Sequence, residues 1–384
     1  SGEEIVDQLY NFKDKSDREL TLRPEITAPV ARLYLNELQK TASKPIKLYY
    51  YGSCFRYERP QAGRLREHFQ FGFECFGIND PMIDAEIISI PVKILKTLIA
   101  MCSESIEKLG IPGADVNINH LGIIRGLFKH FNIDTATQRE VMVVIDKGDK
   151  DLLKESLTGE NPIIDNEELN HVLFKLIDMV GDKSIIKDIE ELVAPYPESH
   201  DALNELEELI DTLASFKMEN YTLNLGVARG LDYYTGIVFH AYTFGTGEPV
   251  IGGGRYEKLV GQFGREKAAI GFSITLDSLM AAITRQNIDI PVDIDGTLLV
   301  YNADRLGDAI NVSKKLRSTG VNVCMIEYKD SKSDSQYIEY AKESSLINVA
   351  FIDDEYASDS TIRVIDESGK NERAAVKSLV GGTF

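Results

Sequence analysis

Four arginines, Arg56, Arg59, Arg64 and Arg66, fall within eleven residues of the stretch YGSCFRYERPQAGRLREHFQFGFECFG, Tyr51 to Gly77. A guanidinium is planar, permanently charged and forked, so it pairs bidentately with phosphate. Just downstream, Gln70, Gly72 and Glu74 share one face of an extended strand, because side chains alternate with period two. An amide and a carboxylate beside a small glycine line a polar pocket better than they build a core. Charge-rich turns between strands are commonly solvated hairpin tips. Here the connection at 57–68 is long for a hairpin, and long ordered loops are often functional. Phe69, Phe71, Phe73 and Phe76 add an apolar floor beside the charges. The chemistry this suits is a polyphosphate held next to a cationic or amino-bearing substrate.

Three further stretches carry chemical side chains. ARGLDYYTG, Ala228 to Gly236, presents Arg229 in a glycine-flanked turn ahead of Tyr233 and Tyr234. IGGGRY, Ile251 to Tyr256, sets three glycines before Arg255, and glycine permits close approach of the backbone to a ligand. Neither stretch is a phosphate-binding P-loop or a dinucleotide fingerprint, because no Gly-Lys-Ser/Thr and no GxGxxG spacing occurs. RPEIT, Arg23 to Thr27, adds the carboxylate of Glu25 and the hydroxyl of Thr27.

The elements that must position these residues fall into four regions. A chain of 384 residues holds two or three domains and a sizeable core. Residues 1–120 mix strands and helices. Asp80 as N-cap and Pro81 in the first turn open a helix running toward Gly110, and Pro91 is predicted to kink or split it. Residues 121–218 read as helical, with Leu173, Leu176, Ile177 and Val180 as a core stripe and a break at Pro195–Pro197. Residues 219–290 return to strand character, notably at 222–225 and 237–242. A linker is expected at 286–296. Beyond it, apolar runs at 297–301, 321–326 and 347–352 alternate with helical stretches at 305–318 and 334–343. That alternation predicts a small α/β domain over 297–384 with a largely parallel sheet.

The net charge of −19 argues against generic nucleic-acid affinity. It is unevenly spread. Lys44 to Glu67 holds six basic and two acidic residues, whereas Asp188 to Asp211 holds nine acidic residues and no lysine or arginine. Such asymmetry steers an anion to one face and suits selective nucleic-acid binding. No apolar run of membrane-spanning length occurs, and the acidic first residues lack a signal-peptide pattern. Cys54, Cys75, Cys102 and Cys324 show no metal-binding spacing. They are read as reduced thiols of a cytoplasmic protein, with Cys54 and Cys75 near each other on opposing arms of the arginine ribbon but not bridged.

Taken in order, RPEIT, FRYERPQAGRLREHFQFGFE, ARGLDYYTGIVF and GGGRYEKL resemble the histidyl-tRNA synthetases, in an archaeal form. The resemblance spans nearly the whole chain. It implies an α/β (α+β) fold: a class II synthetase antiparallel sheet flanked by helices and contributed by 1–120 and 219–290, a helical insertion at 121–218, and an anticodon-binding-like α/β domain at 297–384. It implies activation of L-histidine by ATP to histidyl-adenylate, then transfer to the 3′ end of tRNA(His). Mg²⁺ would accompany ATP, with no structural metal held by the protein. A cytoplasmic homodimer is implied, with no membrane association.

Residue roles follow from the same resemblance. Arg56 would hold the α-phosphate and Arg64 the outer phosphates. Phe69 would stack on adenine, with Glu58 near its amino group. Arg229 would stand where relatives place a metal ion, and together with Arg56 it would be catalytic. Glu25, Thr27 and Gln70 would hold the amino and carboxylate groups of histidine, and Glu74 and Tyr234 its two ring nitrogens, with Tyr233 beside them. A pocket that pairs both nitrogens can discriminate by about 10⁴-fold or more. The 57–68 loop, through Gln61 and Arg66, would touch the acceptor end of the tRNA, where the family reads an extra guanosine.

Three departures qualify the match. Members of the family begin with roughly sixty further residues that build part of the dimer interface, a substantial fraction of a domain. Ser278 stands where an arginine for the ATP γ-phosphate is expected, and losing such a charge-assisted contact costs about 1.5–3 kcal/mol. The C-terminal end is short and glycine-rich, with Gly381 and Gly382. The alternative reading is a non-catalytic relative that binds histidine, such as the regulatory subunit of ATP phosphoribosyltransferase, or a purely tRNA-binding paralogue. The regulatory subunit usually lacks both the intact arginine-glycine-leucine-aspartate stretch and the anticodon-type domain.

Overall fold

The computed structural model describes residues 6–40, 43–58, 65–102, 115–227, 233–243, 249–286, 296–354, 356, 361–365 and 370–376. They form two compact units, 1–290 and 291–384. The linker expected at 286–296 lies almost entirely outside the described residues.

The first unit opens with an exposed hairpin, β1 (Asn11–Lys13) and β2 (Glu19–Thr21), then helix α1 (Thr27–Leu33). Strands β3 (Ile46–Phe55) and β4 (Glu67–Phe76) pair antiparallel, with Ile46 opposite Phe76 and Phe55 opposite Glu67. These are the two arms of the arginine ribbon. The register sets Cys54 opposite His68 and Cys75 opposite Lys47. The two thiols therefore sit toward opposite ends of the ribbon, roughly 23 Å apart at the rise of a strand, and the expectation that they are neighbours fails. Both are free and buried.

Helix α2 (Pro81–Cys102) begins as the sequence predicts, with Asp80 Oδ1 accepting from the Met82 amide at 2.8 Å. It is continuous through Pro91, not split there. Ile83, Ile87, Ile88, Val92 and Leu95 are all buried along one side. Packing of that long stripe outweighs the one backbone hydrogen bond that proline removes. Strand β5 (Asp115–His120) follows.

The inserted segment is helical: α3 (Gly122–His130), α4 (Thr135–Asp146), α5 (Lys150–Thr158), α6 (Glu167–Ile177), α7 (Ile186–Val193) and α8 (Pro197–Ser215). Asp134, Asp149 and Asn166 cap α4, α5 and α6 by accepting first-turn amides. Leu173 and Leu176 are buried, but Val180 is exposed. The helix ends at Ile177, so helical periodicity no longer applies at Val180, which lies in the short strand β6 (Val180–Gly181).

The chain then returns to the sheet through β7 (Thr222–Asn224), β8 (Ile237–Tyr242), β9 (Ile251–Arg255), α9 (Glu257–Gln262), β10 (Ala269–Thr275) and α10 (Leu276–Arg285). The eight strands run in the order β3-β4-β10-β9-β8-β5-β7-β6. All pairs are antiparallel except β5 with β7. One face packs on α2 and α8 through a large apolar core, where Phe73 stacks on Phe272 at 6.1 Å. The other face meets α1 through Ile26, Val30, Tyr34, Tyr50, Phe76 and Tyr256. Alternation along β4 therefore turns Gln70 and Glu74 toward the α1 side.

One polar cluster interrupts the helix-side core. Arg255, 5% exposed, has its guanidinium 2.7 Å from Asp84 on α2 and 3.0 Å from Glu257. Burial pushes Asp84 up to about 6 even though Arg255 pulls it down. Removing one partner strands the other charge in an apolar setting, so Asp84→Ala is expected to cost about 3–5 kcal/mol. The shift in urea midpoint at unchanged slope measures it.

The second unit contains β11 (Thr297–Tyr301), α11 (Leu306–Arg317), β12 (Val323–Glu327), α12 (Asp334–Glu343), β13 (Asn348–Ile352), β14 (Thr361–Ile365) and β15 (Asn371–Ala375). Its sheet order is β12-β11-β13-β14-β15, with β12, β11 and β13 parallel and the last two strands antiparallel. Apolar runs alternating with helices foretold the parallel part. The closing antiparallel pair carries charged residues at Arg363, Glu372 and Arg373 and gave no apolar run to read.

Candidate active site

Glu74 is the buried centre of the α1 side, 1% exposed. Thr27, at the start of α1, donates to its Oε1 at 2.8 Å, and Tyr256 donates to its Oε2 at 2.5 Å. The Tyr50 hydroxyl lies 3.3 Å from Thr27 Oγ1 and extends the chain of hydroxyls. Burial raises the Glu74 carboxyl to about 8 despite the donated hydroxyls, which favour the anion. Such a group keeps its proton at neutral pH until something ionises it. Gln70, four residues earlier on the same face, is also buried and accepts from the Cys54 thiol at 3.2 Å.

Glu25 is the second buried carboxyl, 3% exposed. Tyr233 donates to its Oε2 at 3.0 Å. Its Oε1 is buried without a hydrogen-bond partner among the described residues. Burial raises its pKa, with Tyr233 and the Arg56 charge opposing. Arg56 is fixed by a bond from Nε to the Pro24 carbonyl at 3.0 Å. No carboxylate lies within ion-pair distance of it among the described residues. Tyr234 packs against Tyr233 with ring centroids 5.0 Å apart. Burial, then the nearby Glu74 and Glu25 charges, hold its hydroxyl protonated. The fold thus gathers Glu25, Thr27, Arg56, Gln70, Glu74, Tyr233 and Tyr234 on one side of the sheet.

Other predicted residues lie elsewhere. Phe69 is on the opposite face of β4 from Gln70 and Glu74, stacked against Tyr51 at 5.8 Å and more than a third exposed. Its amide donates to Asp277 Oδ2 at 2.7 Å. The ring on the Gln70 face is His68, one residue earlier. Burial, then the Arg56 charge, lower His68 to about 4, so it is a neutral flat ring at neutral pH. Arg66 lies over the Tyr57 ring at 4.6 Å and donates to the Glu58 carbonyl at 3.2 Å, while its own carbonyl accepts the Arg56 amide at 2.9 Å. Glu58 and Arg66 therefore flank the ribbon's mouth. Arg59, Gln61, Arg64 and Arg229 lie outside the described residues. Ser278 sits in the first turn of α10, partly exposed.

Tyr256 was missed in the sequence because the glycines before it drew the attention. Its place is set by them. A Cβ at Gly271 would lie 1.7 Å from Glu74 Oε2, and one at Gly254 would lie 2.5 Å from the Ile237 carbonyl and 3.0 Å from the Tyr234 ring. Glycine at these two positions makes room for the Glu74 carboxylate and for the Tyr234 ring. Among the described residues, no cluster of three or more His, Cys, Asp or Glu side chains is gathered to hold a metal ion. No helix there is long and apolar enough to cross a membrane.

The same fold occurs in solved structures. The histidyl-tRNA synthetase of Nostoc sp. superposes with a TM-score of 0.73 at 20% identity, over 97% of this chain and 85% of that one. A Bacillus halodurans protein described as an ATP phosphoribosyltransferase regulatory subunit/histidyl-tRNA synthetase gives 0.71 at 24%, over 90% and 83%. The antiparallel-rich sheet flanked by helices, with Glu25 and Glu74 buried on one face, is the fold of a class II aminoacyl-tRNA synthetase, and the relatives that follow are ligases. The histidyl-tRNA synthetase family model matches residues 1–279. The histidine–tRNA ligase of Methanocaldococcus jannaschii is 35% identical over 370 residues, 95% of this chain and 83% of that protein. That of Methanococcus maripaludis strain S2 is 34% identical over 99% of this chain and 87% of its own length. The chain belongs to the histidyl-tRNA synthetase family.

Proposed function

We propose that this chain is a histidine–tRNA ligase that joins L-histidine to ATP as histidyl-adenylate and passes the acyl group to the 3′ end of tRNA(His). The observation that carries the reading is the buried Glu25 Oε1, which has no donor among the described residues, close to the charge of Arg56. An amino acid fills that vacancy with its ammonium and lays its carboxylate toward the arginine. Glu74 and Tyr234 then offer an acceptor and a donor to the two nitrogens of an imidazole. Thr27 donates to Glu74 and keeps its oxygen to accept from the ligand's ammonium. Gln70 supports the carboxylate end, with Tyr233 holding Glu25.

In the first step a histidine carboxylate oxygen bonds to the α-phosphorus and pyrophosphate leaves. The protein's task is to hold reactants in line and to neutralise charge. Arg56 and Arg229 take the α-phosphate, and Arg64 the outer phosphates. Mg²⁺ enters with ATP as part of the substrate. His68 replaces Phe69 as the ring under adenine, since it shares the Gln70 face, and Glu58 lies near the adenine amino group. In the second step a hydroxyl of the terminal adenosine attacks the acyl carbon and AMP leaves. Gln61 and Arg66 face the acceptor end. The 297–384 unit reads the anticodon, the enzyme works as a homodimer, and its setting is the cytoplasm.

The test is histidine-dependent exchange of pyrophosphate into ATP, followed by charging of tRNA(His). Exchange with histidine above every other amino acid, and charging of this tRNA alone, is the expected result. Histidine binding with neither activity would transfer the assignment to a regulatory histidine-binding relative.

A further inference from the structure

Tyr233 and Tyr234 reach the site from a segment that is neither helix nor strand, so something else must hold it. Four contacts do. The Tyr234 carbonyl accepts from the Arg125 guanidinium on α3. The Thr235 amide donates to the Arg255 carbonyl at 2.8 Å, and the Gly236 carbonyl accepts the Leu121 amide at 3.0 Å. The Thr235 hydroxyl donates to the Glu257 carboxylate through Oε2. The other oxygen of Glu257, Oε1, takes Arg255 at 3.0 Å, and Arg255 in turn pairs with Asp84 on α2. Tyr256, whose hydroxyl holds Glu74, sits between Arg255 and Glu257 in the chain.

Two tyrosine-bearing segments, 233–234 and 256, are thus tied to one buried ionic cluster. Arg255 is paired in register with Ile270 on the helix side of the sheet, so the cluster lies behind the strand whose front faces the pocket. We infer that Asp84, Arg255, Glu257 and Thr235 form a positioning brace that sets histidine affinity from the back of the sheet. The inference rests on the reading that Glu25 and Glu74 receive histidine. A charged brace is stiff because each charge has only its partners in the apolar interior to pair with. Phenol donors must be held to within about 0.5 Å of the productive geometry. The Thr235 hydroxyl is the side-chain link from the tyrosine segment to the Glu257 carboxylate, beside the backbone link from the Thr235 amide to the Arg255 carbonyl.

The experiment is calorimetric titration of L-histidine and, separately, of ATP into the full chain and its variants, with melting temperatures measured alongside. Thr235→Val keeps the shape and removes the hydroxyl. It is expected to weaken histidine binding about tenfold, as for loss of a hydrogen bond to a charged group, and to leave ATP binding within about twofold. Thr235→Ser restores the hydroxyl and the affinity. Glu257→Gln alters the same joint on a side chain 24% exposed, and gives the same selective loss should Thr235→Val fold poorly. Glu74→Gln is the control on the underlying reading. Loss of histidine binding in Glu74→Gln but not in Thr235→Val or Glu257→Gln overturns the brace. So does equal weakening of both ligands, which is mere loosening. An undiminished Glu74→Gln overturns the histidine reading itself.

Discussion

Replacing Arg56 by alanine is expected to lower histidine-dependent pyrophosphate exchange about 10²–10³-fold, the usual effect of removing one preorganised charge-stabilising donor. The histidine dissociation constant should move far less. The reason is geometric. The Nε–Pro24 bond already fixes the guanidinium before any ligand arrives, so no reorganisation is required as charge builds on phosphorus. Its field is felt at Glu25, whose pKa it lowers, and at His68, whose protonation it opposes. On the proposed reading, those two residues stand on either side of the meeting point of the α-phosphate and the amino-acid carboxylate. Arg56→Lys keeps the charge but loses the fork and the anchoring Nε, and a fall of about 10-fold or more is expected, since the two cations are not interchangeable at a bidentate site. Single-turnover adenylate formation separates chemistry from binding. A loss confined to histidine affinity, with the chemical rate intact, would remove Arg56 from the phosphate.

The site was more legible in the sequence than the supports beneath it. Period-two alternation placed Gln70, Gly72 and Glu74 on one face with no structural input. The same alternation puts His68 on the Gln70 face and Phe69 on the opposite one, a parity that is read from the strand and not from the aromatic character of the ring. Cys54 and Cys75 were misjudged because hairpin arms were compared without a register, and seven positions separate them along the pairing. The Asp84–Arg255 pair had no local signal at all, since its members lie 171 residues apart. Helix α2 passes through Pro91 because burial of a long stripe, invisible as a sum in local propensity, decides the outcome. In the second unit the parallel strands announced themselves as buried apolar runs, while the antiparallel pair at the end did not.

Glu74→Ala should weaken histidine binding about 10³-fold while leaving ATP within about twofold, because a site built to pair a ring nitrogen is left with unmatched polar groups. Glu74 is also the group through which pH enters. Raised to about 8 in the empty site, the carboxyl is neutral at pH 7. A neutral imidazole with Tyr234 donating to one nitrogen presents N–H from the other, and that donor pairs more strongly with the carboxylate than with the neutral acid. Binding therefore expels the Glu74 proton. Histidine affinity should rise between pH 6.5 and 8 by a factor approaching about tenfold per unit and then level off. Calorimetry in two buffers of different ionisation enthalpy should find close to one proton released near pH 7. The empty protein shows the converse. A carboxyl raised above its unfolded value of 4.5 contributes stability that is complete below that value and is lost as pH climbs through about 8. Glu74→Gln lacks this dependence, so the unfolding free energy of the parent should fall relative to the variant across that window. Parallel stability curves would mean that the folded chain does not raise Glu74, and binding without proton release near pH 7 would mean that Glu74 meets the imidazole as a neutral acid.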